Sequence, residues 1–417
     1  MEKIGGIRNK LFYYERNIVN KKGGSMCSEL AINGGTPVRE KLIPINAPYF
    51  DQDDYKAVEM AMRSTFVSGD GPECRKFEEK LKKYLNVKYA FFTTSATAAL
   101  DLAFMVKDFP EGSEVIVPDF TFTSTALAPI LNQLKVVLVD VDPLNGNIDV
   151  GKIEAKITQK TAAIVPVDYA GNPADMDKIN HLAKKYNLYV VHDAAQSIGS
   201  EYKGKKTGAL ADVSCFSFHG TKNLVVGEGG AIVTNHDDLA EKIIIAREKG
   251  TDKYSYISNP KKKGYYEYVS KGNSYVQSNI LGALAVSQLK KIDFMNRRRE
   301  DIAKRYMREF SELDGIGLPK VTEGSKTNWH LFYLLVPQNK KEWIIDALKA
   351  EGIMANIHYN PLHLNTYYMD LCDFEEDEFP NAMKFYDSLV RIPLYPSLME
   401  KDVNDIVRGV RKVLGSL

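Results

Sequence analysis

The chain has 417 residues, 44% hydrophobic and 26% charged, an ordinary globular composition with length for two or three domains around a substantial core and little room for extended disorder. Its 55 basic and 54 acidic side chains leave a formal net charge of +1, so no global field favours nucleic acid or an anionic membrane and any phosphate has to be bound locally. No apolar run reaches about 18 residues and the N-terminus lacks a signal-peptide core. The four cysteines, Cys27, Cys74, Cys215 and Cys372, lie far apart with no CxxC pair, which predicts free thiols in a reducing, cytoplasmic setting.

Residues 1–38 read as an N-terminal extension, with a flexible patch at KKGGS and an alternative start at Met26. The stretch PECRKFEEKLKKYLN opens on Pro72 and puts Phe77, Leu81, Tyr84 and Leu85 on one face, which predicts an amphipathic helix. Tyr89, Phe91 and Phe92 read as core. From about 85 to 235, brief β-rich runs (EVIVP, KVVLVDVD, TAAIVPVD, LYVVHDAA, VSCFSF, GAIVT) alternate with helical segments such as DMDKINHLAKKYN. This pattern belongs to a mostly parallel sheet covered on both faces. Residues 277–313 read as one long helix or a kinked pair leading into a smaller α+β region, where strand-like WHLFYLLV mixes with the helical patterns WIIDALKAEG and DVNDIVRGVRKVL. The expected division is a large α/β domain over 39–275 and the long helix with a small C-terminal domain over 276–417. No internal repeat or low-complexity tract is present.

Three segments carry candidate chemistry. In SATAALDLAF, Ser95, Ala96 and Thr97 open a helical run whose free N–H groups suit a phosphate. In VVHDAAQSIG, Asp193 ends an apolar strand where open α/β sheets bind ligands, and Gln196 can share that crevice. Lys222 follows VSCFSF by four residues and precedes glycines 227, 229 and 230; a partly desolvated lysine there attacks carbonyl carbon as a neutral amine, with the Ser217 and Thr221 hydroxyls close by. Taken singly, each has an ordinary reading: a capped helix, a helix-capping aspartate, a solvated loop lysine. Together, in that order, they supply partners for the phosphate, ring nitrogen and aldehyde of pyridoxal phosphate.

The motifs SATAAL, PDFTFTSTA, VDVDP with NID, PVDYAGNPADMD, HDAAQ, FSFHGTKN and GEGGA resemble, in order, those of the DegT/StrS family of sugar aminotransferases, from about residue 40 to the C-terminus. Within it, the INAP, SGDG, REKGT and HYNPLH stretches are similar to the dTDP-4-amino-4,6-dideoxygalactose transaminases of surface-polysaccharide synthesis. The resemblance implies a fold-type I (aspartate aminotransferase-like) α/β enzyme that uses pyridoxal 5'-phosphate, takes an amino group from glutamate to the 4-keto carbon of a nucleotide-linked 4-keto-6-deoxyhexose, with dTDP the expected nucleotide, and works as a homodimer with shared sites. By the same resemblance Lys222 is the Schiff-base lysine, Asp193 the carboxylate on the ring nitrogen, Gln196 the neighbour of the ring hydroxyl and Phe122 the stacking aromatic. Ala96, Thr97 and Ser217 then make the phosphate contacts.

In KGNSYVQSN, Ser274 stands where many members have the asparagine that reaches the partner subunit's cofactor phosphate, and Asn279 stands at a position that is often acidic. Asn273, one residue earlier, is the alternative for that contact. His219 either faces the sugar or packs beside it. His358, with Tyr359 next to it, either lines the substrate mouth or is a hydrogen-bonded structural histidine. Metal binding by His358 and His363 has no acid or thiolate adjoining it to support it. Among other members of the fold, sugar 3-dehydratases replace the lysine that is present here. AINGGTPVRE at 31–40 resembles the N-termini of inosose aminotransferases, which leaves 3-keto sugars or cyclitols as alternative acceptors, and a catalytically idle regulator is the reading from another class.

Overall fold

Seven short strands make the central sheet: β1 (Tyr89–Thr93), β2 (Glu114–Pro118), β3 (Lys135–Val139), β4 (Thr161–Ile164), β5 (Tyr189–Asp193), β6 (Val213–Ser217) and β7 (Gly230–Thr234). Their order is β1-β7-β6-β5-β4-β2-β3. The neighbours from β6 to β3 run parallel, and β7 runs antiparallel to both β1 and β6. The computed structural model describes residues 29–253, 266–375 and 377–417. The KKGGS patch, Met26 and Cys27 lie outside the described residues.

The six apolar runs picked out by composition all become strands, and β1 is a seventh, formed from the Tyr89–Phe92 stretch. Burial on both faces explains why these strands lack an alternating pattern: β5, β6 and β7 have every residue buried. On one side pack α2 (Pro72–Leu85) and α7 (Asn279–Lys290), where Phe77 meets Phe92 and Phe218 with ring centroids 4.8 and 5.4 Å apart. On the other, α3 (Ala96–Met105), α4 (Thr123–Leu131) and α6 (Asp237–Arg247) share a core with Val117, Val191 and Ile232.

The 277–313 region resolves as a kinked pair, α7 and α8 (Ile292–Phe310), joined at Lys291 with φ −110° and ψ 4°. Beyond it, β8 (Phe332–Leu335) and β9 (Leu389–Ile392) form an antiparallel ribbon. Against it pack α8, α9 (Lys341–Ala350) and α11 (Glu400–Leu414) around Tyr306, Phe332, Ile344, Ile392 and Val410; α10 (Pro380–Ser388) leads into β9. Residues 29–43 lie on this smaller unit. Leu30 is in its core, and the buried Glu351 carboxylate accepts from Ala31 N–H (2.8 Å), Val38 N–H (2.9 Å) and Lys412 Nζ (2.9 Å). Among the described residues, no helix is long and apolar enough to cross a membrane.

Candidate active site

The carboxyl ends of β5 and β6, the start of α3, the turn into α4 and a loop from the smaller unit enclose a cleft of about 410 Å³. Its walls include Ala96, Thr97, Phe122, Asp193, Gln196, Ser217, His219, Lys222, His358 and Tyr359. Asn273 and Ser274 are exposed and do not line it. Asn279, also singled out, is a buried structural residue: its Oδ1 accepts from Glu73 N–H (2.8 Å) and its Nδ2 donates to Phe66 O (2.8 Å).

The first wall is a helix start. Ser95 caps α3 by accepting from Ala98 N–H (3.0 Å), which leaves the N–H groups of Ala96 and Thr97 without intrahelical partners. Thr97 Oγ1 lies 2.6 Å from Ser124 Oγ, adding a pair of hydroxyls. Glycine is needed at 230 because a Cβ there would come within 2.3 Å of the Ser95 carbonyl carbon and 2.5 Å of Ala96 N; β7 therefore presses the turn into place. These donors and the Ser217 hydroxyl, all on the cleft wall, fit a phosphate group.

The second is the acid. Asp193 ends β5 with Oδ2 accepting from Thr125 Oγ1 (2.8 Å) and Oδ1 from Ala195 N–H (3.2 Å). Burial pushes its carboxyl up, opposed by these two hydrogen bonds and by the Lys222 charge. A cationic ring nitrogen is the partner that such a carboxylate stabilises. Beneath it, His192 Nε2 lies 2.9 Å from Asp168 Oδ2, which also accepts from Ser197 Oγ (2.6 Å). Burial pulls His192 down, and Asp168 outweighs it, leaving the imidazole raised.

The third is the lysine. Its loop is held by Phe218 N–H to Gly229 O and Gly220 N–H to Gly227 O, both 2.8 Å, with Gly227 at φ +94°, where a side chain would be strained. Leu224, Val225 and Val226 are buried beyond Lys222, and Asn223 ties the loop to Asn296 (2.8 Å) and Asn328 O (3.0 Å). Burial brings the Lys222 amine from 10.5 down to about 8; Asp193 pulls it up, and Arg391 pushes it down further. Such a lysine holds a usable share of neutral, nucleophilic amine near neutral pH.

The smaller unit closes the cleft. Gln196 Oε1 accepts from Ala170 N–H (2.8 Å) and its Nε2 donates to Tyr359 OH (3.2 Å), while the Phe122 and Tyr359 rings lie 5.4 Å apart. Burial, with Arg391 and Lys222, takes His358 down to about 3, so it is a neutral imidazole on the wall. Tyr169 OH donates to His358 O. Asp119 clamps the same loop: its Oδ1 accepts from His363 N–H (2.9 Å), and its Oδ2 lies 2.7 Å from His363 Nδ1. His219 is at the open edge, 3.0 Å from Thr221 Oγ1 and 3.7 Å from Glu228.

The model of the DegT/DnrJ/EryC1/StrS aminotransferase family matches residues 48–411. The chain belongs to this family. It is 36% identical over 384 residues to the spore coat polysaccharide biosynthesis protein SpsC of Bacillus subtilis, covering 90% of this chain and 98% of that one. It is 36% identical over 358 residues to a UDP-4-amino-4,6-dideoxy-N-acetyl-β-L-altrosamine transaminase of Campylobacter jejuni, covering 84% and 92%. Among solved structures, PseC of Helicobacter pylori, an aminotransferase of pseudaminic acid biosynthesis, superposes with a TM-score of 0.84 at 32% identity over 90% of this chain and all of that one. The protein is thus a pyridoxal phosphate-dependent sugar aminotransferase with the fold-type I architecture expected from its motifs.

Sequence reasoning missed Thr125, Ser124, Glu228 and Arg391, whereas the capped-helix reading of the Ser95 segment is borne out. Thr125 had a signal, since FTFTST repeats hydroxyls at a four-residue spacing and Thr121 Oγ1 lies 2.8 Å from Thr125 Oγ1. Arg391 had another, a lone cation inside the apolar run LVRIPL.

Proposed function

We propose that this enzyme transfers an amino group from glutamate to the 4-keto carbon of a nucleotide-linked 4-keto-6-deoxyhexose, for amino sugars of surface polysaccharide. The observation that carries the reading is the placement of Lys222, with its lowered pKa, in one cleft with Asp193 and the α3 helix start. Position 4 and the 6-deoxy sugar are supported by the 4-amino-4,6-dideoxy sugar for which the C. jejuni relative is named and by the stretches that resemble dTDP-sugar transaminases. The resemblance favours dTDP as the carrier, whereas that relative is named for a UDP-sugar.

When bound, pyridoxal phosphate supplies an aldehyde carbon that exchanges amines and an electron-withdrawing ring. The Ala96 and Thr97 N–H groups with Ser217 would hold its phosphate, Phe122 would stack on its ring, and Gln196 would meet its ring hydroxyl. Asp193, fixed by Thr125 and Ala195, holds a proton on the ring nitrogen. The Lys222 amine removes a proton from the alpha carbon of glutamate and, in the return half-reaction, delivers one to C4 of the sugar. His219, His358 and Tyr359 are positioned to meet the sugar.

A homodimer completes the proposal. Phe50, Tyr55, Met60, Met62, Phe66 and Val67 are exposed along one segment, and an open groove of about 600 Å³ is lined by Phe50, Tyr55, Val58, Met62 and Leu284. A face of this kind suits a second copy of the chain, whose site Asn273 or Ser274 would then reach. The test is incubation with glutamate and a panel of dTDP-, UDP- and GDP-linked 4-keto-6-deoxyhexoses, with products identified by mass and NMR. A 4-amino sugar with matching oxoglutarate release is expected; amination at C3, or turnover of an inosose alone, overturns the reading.

A further inference from the structure

The amino ends of the parallel strands open onto a second hollow, at the end of the sheet opposite the cleft. It encloses about 560 Å³, within the range of about 300–1,000 Å³ that small-molecule sites occupy. Its walls come from the turn between α3 and β2, the residues leading into β4 and the turn into β5. β5 begins here with Tyr189 and ends in the cleft with Asp193, so roughly 13 Å of strand separates the two places. In open α/β sheets the reacting ligands gather at the carboxyl ends of the strands, and no step of the transamination uses this opposite end.

Tyr189 lies in the wall with 6% of its surface exposed, and its hydroxyl is buried with no hydrogen-bond partner among the described residues. A polar group left in this state costs free energy that a ligand oxygen or nitrogen recovers. Beside its ring stand Phe109, with centroids 6.1 Å apart, and Lys107, whose Nζ is 5.1 Å from the centroid. Lys107 and Lys160 both line the hollow, and among the described residues neither amine has an anionic partner. Two carboxylates on the same walls are already engaged: Asp108 lies 3.5 Å from Lys242 Nζ, and Asp212 accepts from Val190 N–H (2.8 Å) and lies 3.4 Å from His236 Nε2. Glu111 is left, one acid against two lysines. Aromatic rings beside a cation suit a planar, polarisable group such as a nucleobase, and two unanswered ammonium groups suit the phosphates that a nucleotide carries.

We propose that this hollow is a second ligand site, distinct from the catalytic cleft, that takes a nucleoside diphosphate, free or carrying a sugar. Its phosphates sit at Lys107 and Lys160, and its base or ribose lies against Phe109 and meets the Tyr189 hydroxyl. The inference does not depend on which donor or acceptor the cleft takes. Free and sugar-linked diphosphates present the same chemistry to these residues, and the test separates them.

The test is hydrogen exchange read by mass spectrometry on the full-chain holoenzyme, titrated with UDP, dTDP, GDP and UDP-glucose, and with uridine and inorganic pyrophosphate as the two halves. Peptides covering 107–113, 159–162 and 186–190 report this site, and peptides covering 193–222 report the cleft. At least one nucleoside diphosphate should slow exchange in the first group, and the concentration for half the effect gives its affinity. Lys107→Gln combined with Lys160→Gln should raise that concentration by about 30-fold, and Tyr189→Phe, which removes only the unpartnered hydroxyl, by about 5-fold. Neither change should move the concentration at which the cleft peptides respond. Uridine and pyrophosphate should each need at least about 10-fold more than the linked nucleotide. Protection by UDP but not UDP-glucose assigns the site to free diphosphates, the reverse assigns it to sugar esters, and either supports the proposal. No protection of the first group at millimolar nucleotide, protection confined to the cleft peptides, or one half-maximal concentration shared by wild type and the double lysine variant overturns it. Pyrophosphate acting as well as the nucleotides also overturns it, because the aromatic wall then contributes nothing.

Discussion

Replacing Lys222 with methionine should stabilise the cofactor-free protein. Lowering the lysine from 10.5 to about 8 corresponds to roughly 3 kcal/mol of unfavourable burial of its ammonium. The side chain is half-buried and borders the cleft, so water screens part of this, and about 1–2 kcal/mol is the expected gain at pH 7. Methionine is close in volume and uncharged. For a chain of this length that gain is about 2 °C in Tm, within reach of scanning calorimetry on matched samples. The sign with pH is fixed by linkage. The folded pKa lies below the unfolded one, so between about 8 and 10.5 the unfolded chain binds more protons and wild-type stability rises with pH. The advantage of Lys222→Met should therefore be complete below pH 8 and shrink as pH climbs toward 10.5. A variant no more stable than wild type at pH 7, or a difference that ignores pH across that window, would refute the claim that the lysine is held against its preferred charge.

Asp193→Asn should leave cofactor bound through the α3 donors while kcat falls by at least about 100-fold, read from steady-state rates beside the cofactor's visible spectrum. Thr125→Val, which removes the donor to Asp193 Oδ2, should cost about 10-fold in kcat with little change in folding. Glu351→Ala removes the acceptor for two backbone N–H groups and Lys412 and should cost about 2–4 kcal/mol in denaturant unfolding. Burial opposes the Glu351 charge, but the Ala31, Lys412 and Val38 donors outweigh it and lower its pKa from 4.5. Its contribution is thus present above that value and lost as pH falls through the folded pKa, so the gap between variant and wild type should close in acid.

The strands and the phosphate, acid and lysine segments were legible because each is local. A buried parallel strand is a short β-branched run, and a helix start or strand end carries its ligand-binding groups in adjacent residues. The contacts that tune those groups join distant parts of the chain: Thr125 to Asp193, Gln196 to Tyr359, and Asp119 to His363 across 244 residues. No periodicity records such pairs. His363 shows the difference: with no acid near it in sequence, it is held by Asp119 in space. The β1 strand was read only as core because Tyr89, Phe91 and Phe92 sit on successive or alternate positions of a stretch just five residues long. Asn273 and Ser274 were chosen by resemblance to a contact between subunits, and within one chain they are exposed and apart from the cleft.

Lys222 as the residue that carries the cofactor is the claim on which the mechanism depends. The direct measurement is borohydride reduction of the yellow holoenzyme, followed by proteolysis and mass spectrometry. The account predicts that the cofactor's mass stays on the peptide containing Lys222 and on no other; the same mass on a different lysine, with Lys222 unmodified and cofactor present, would contradict it.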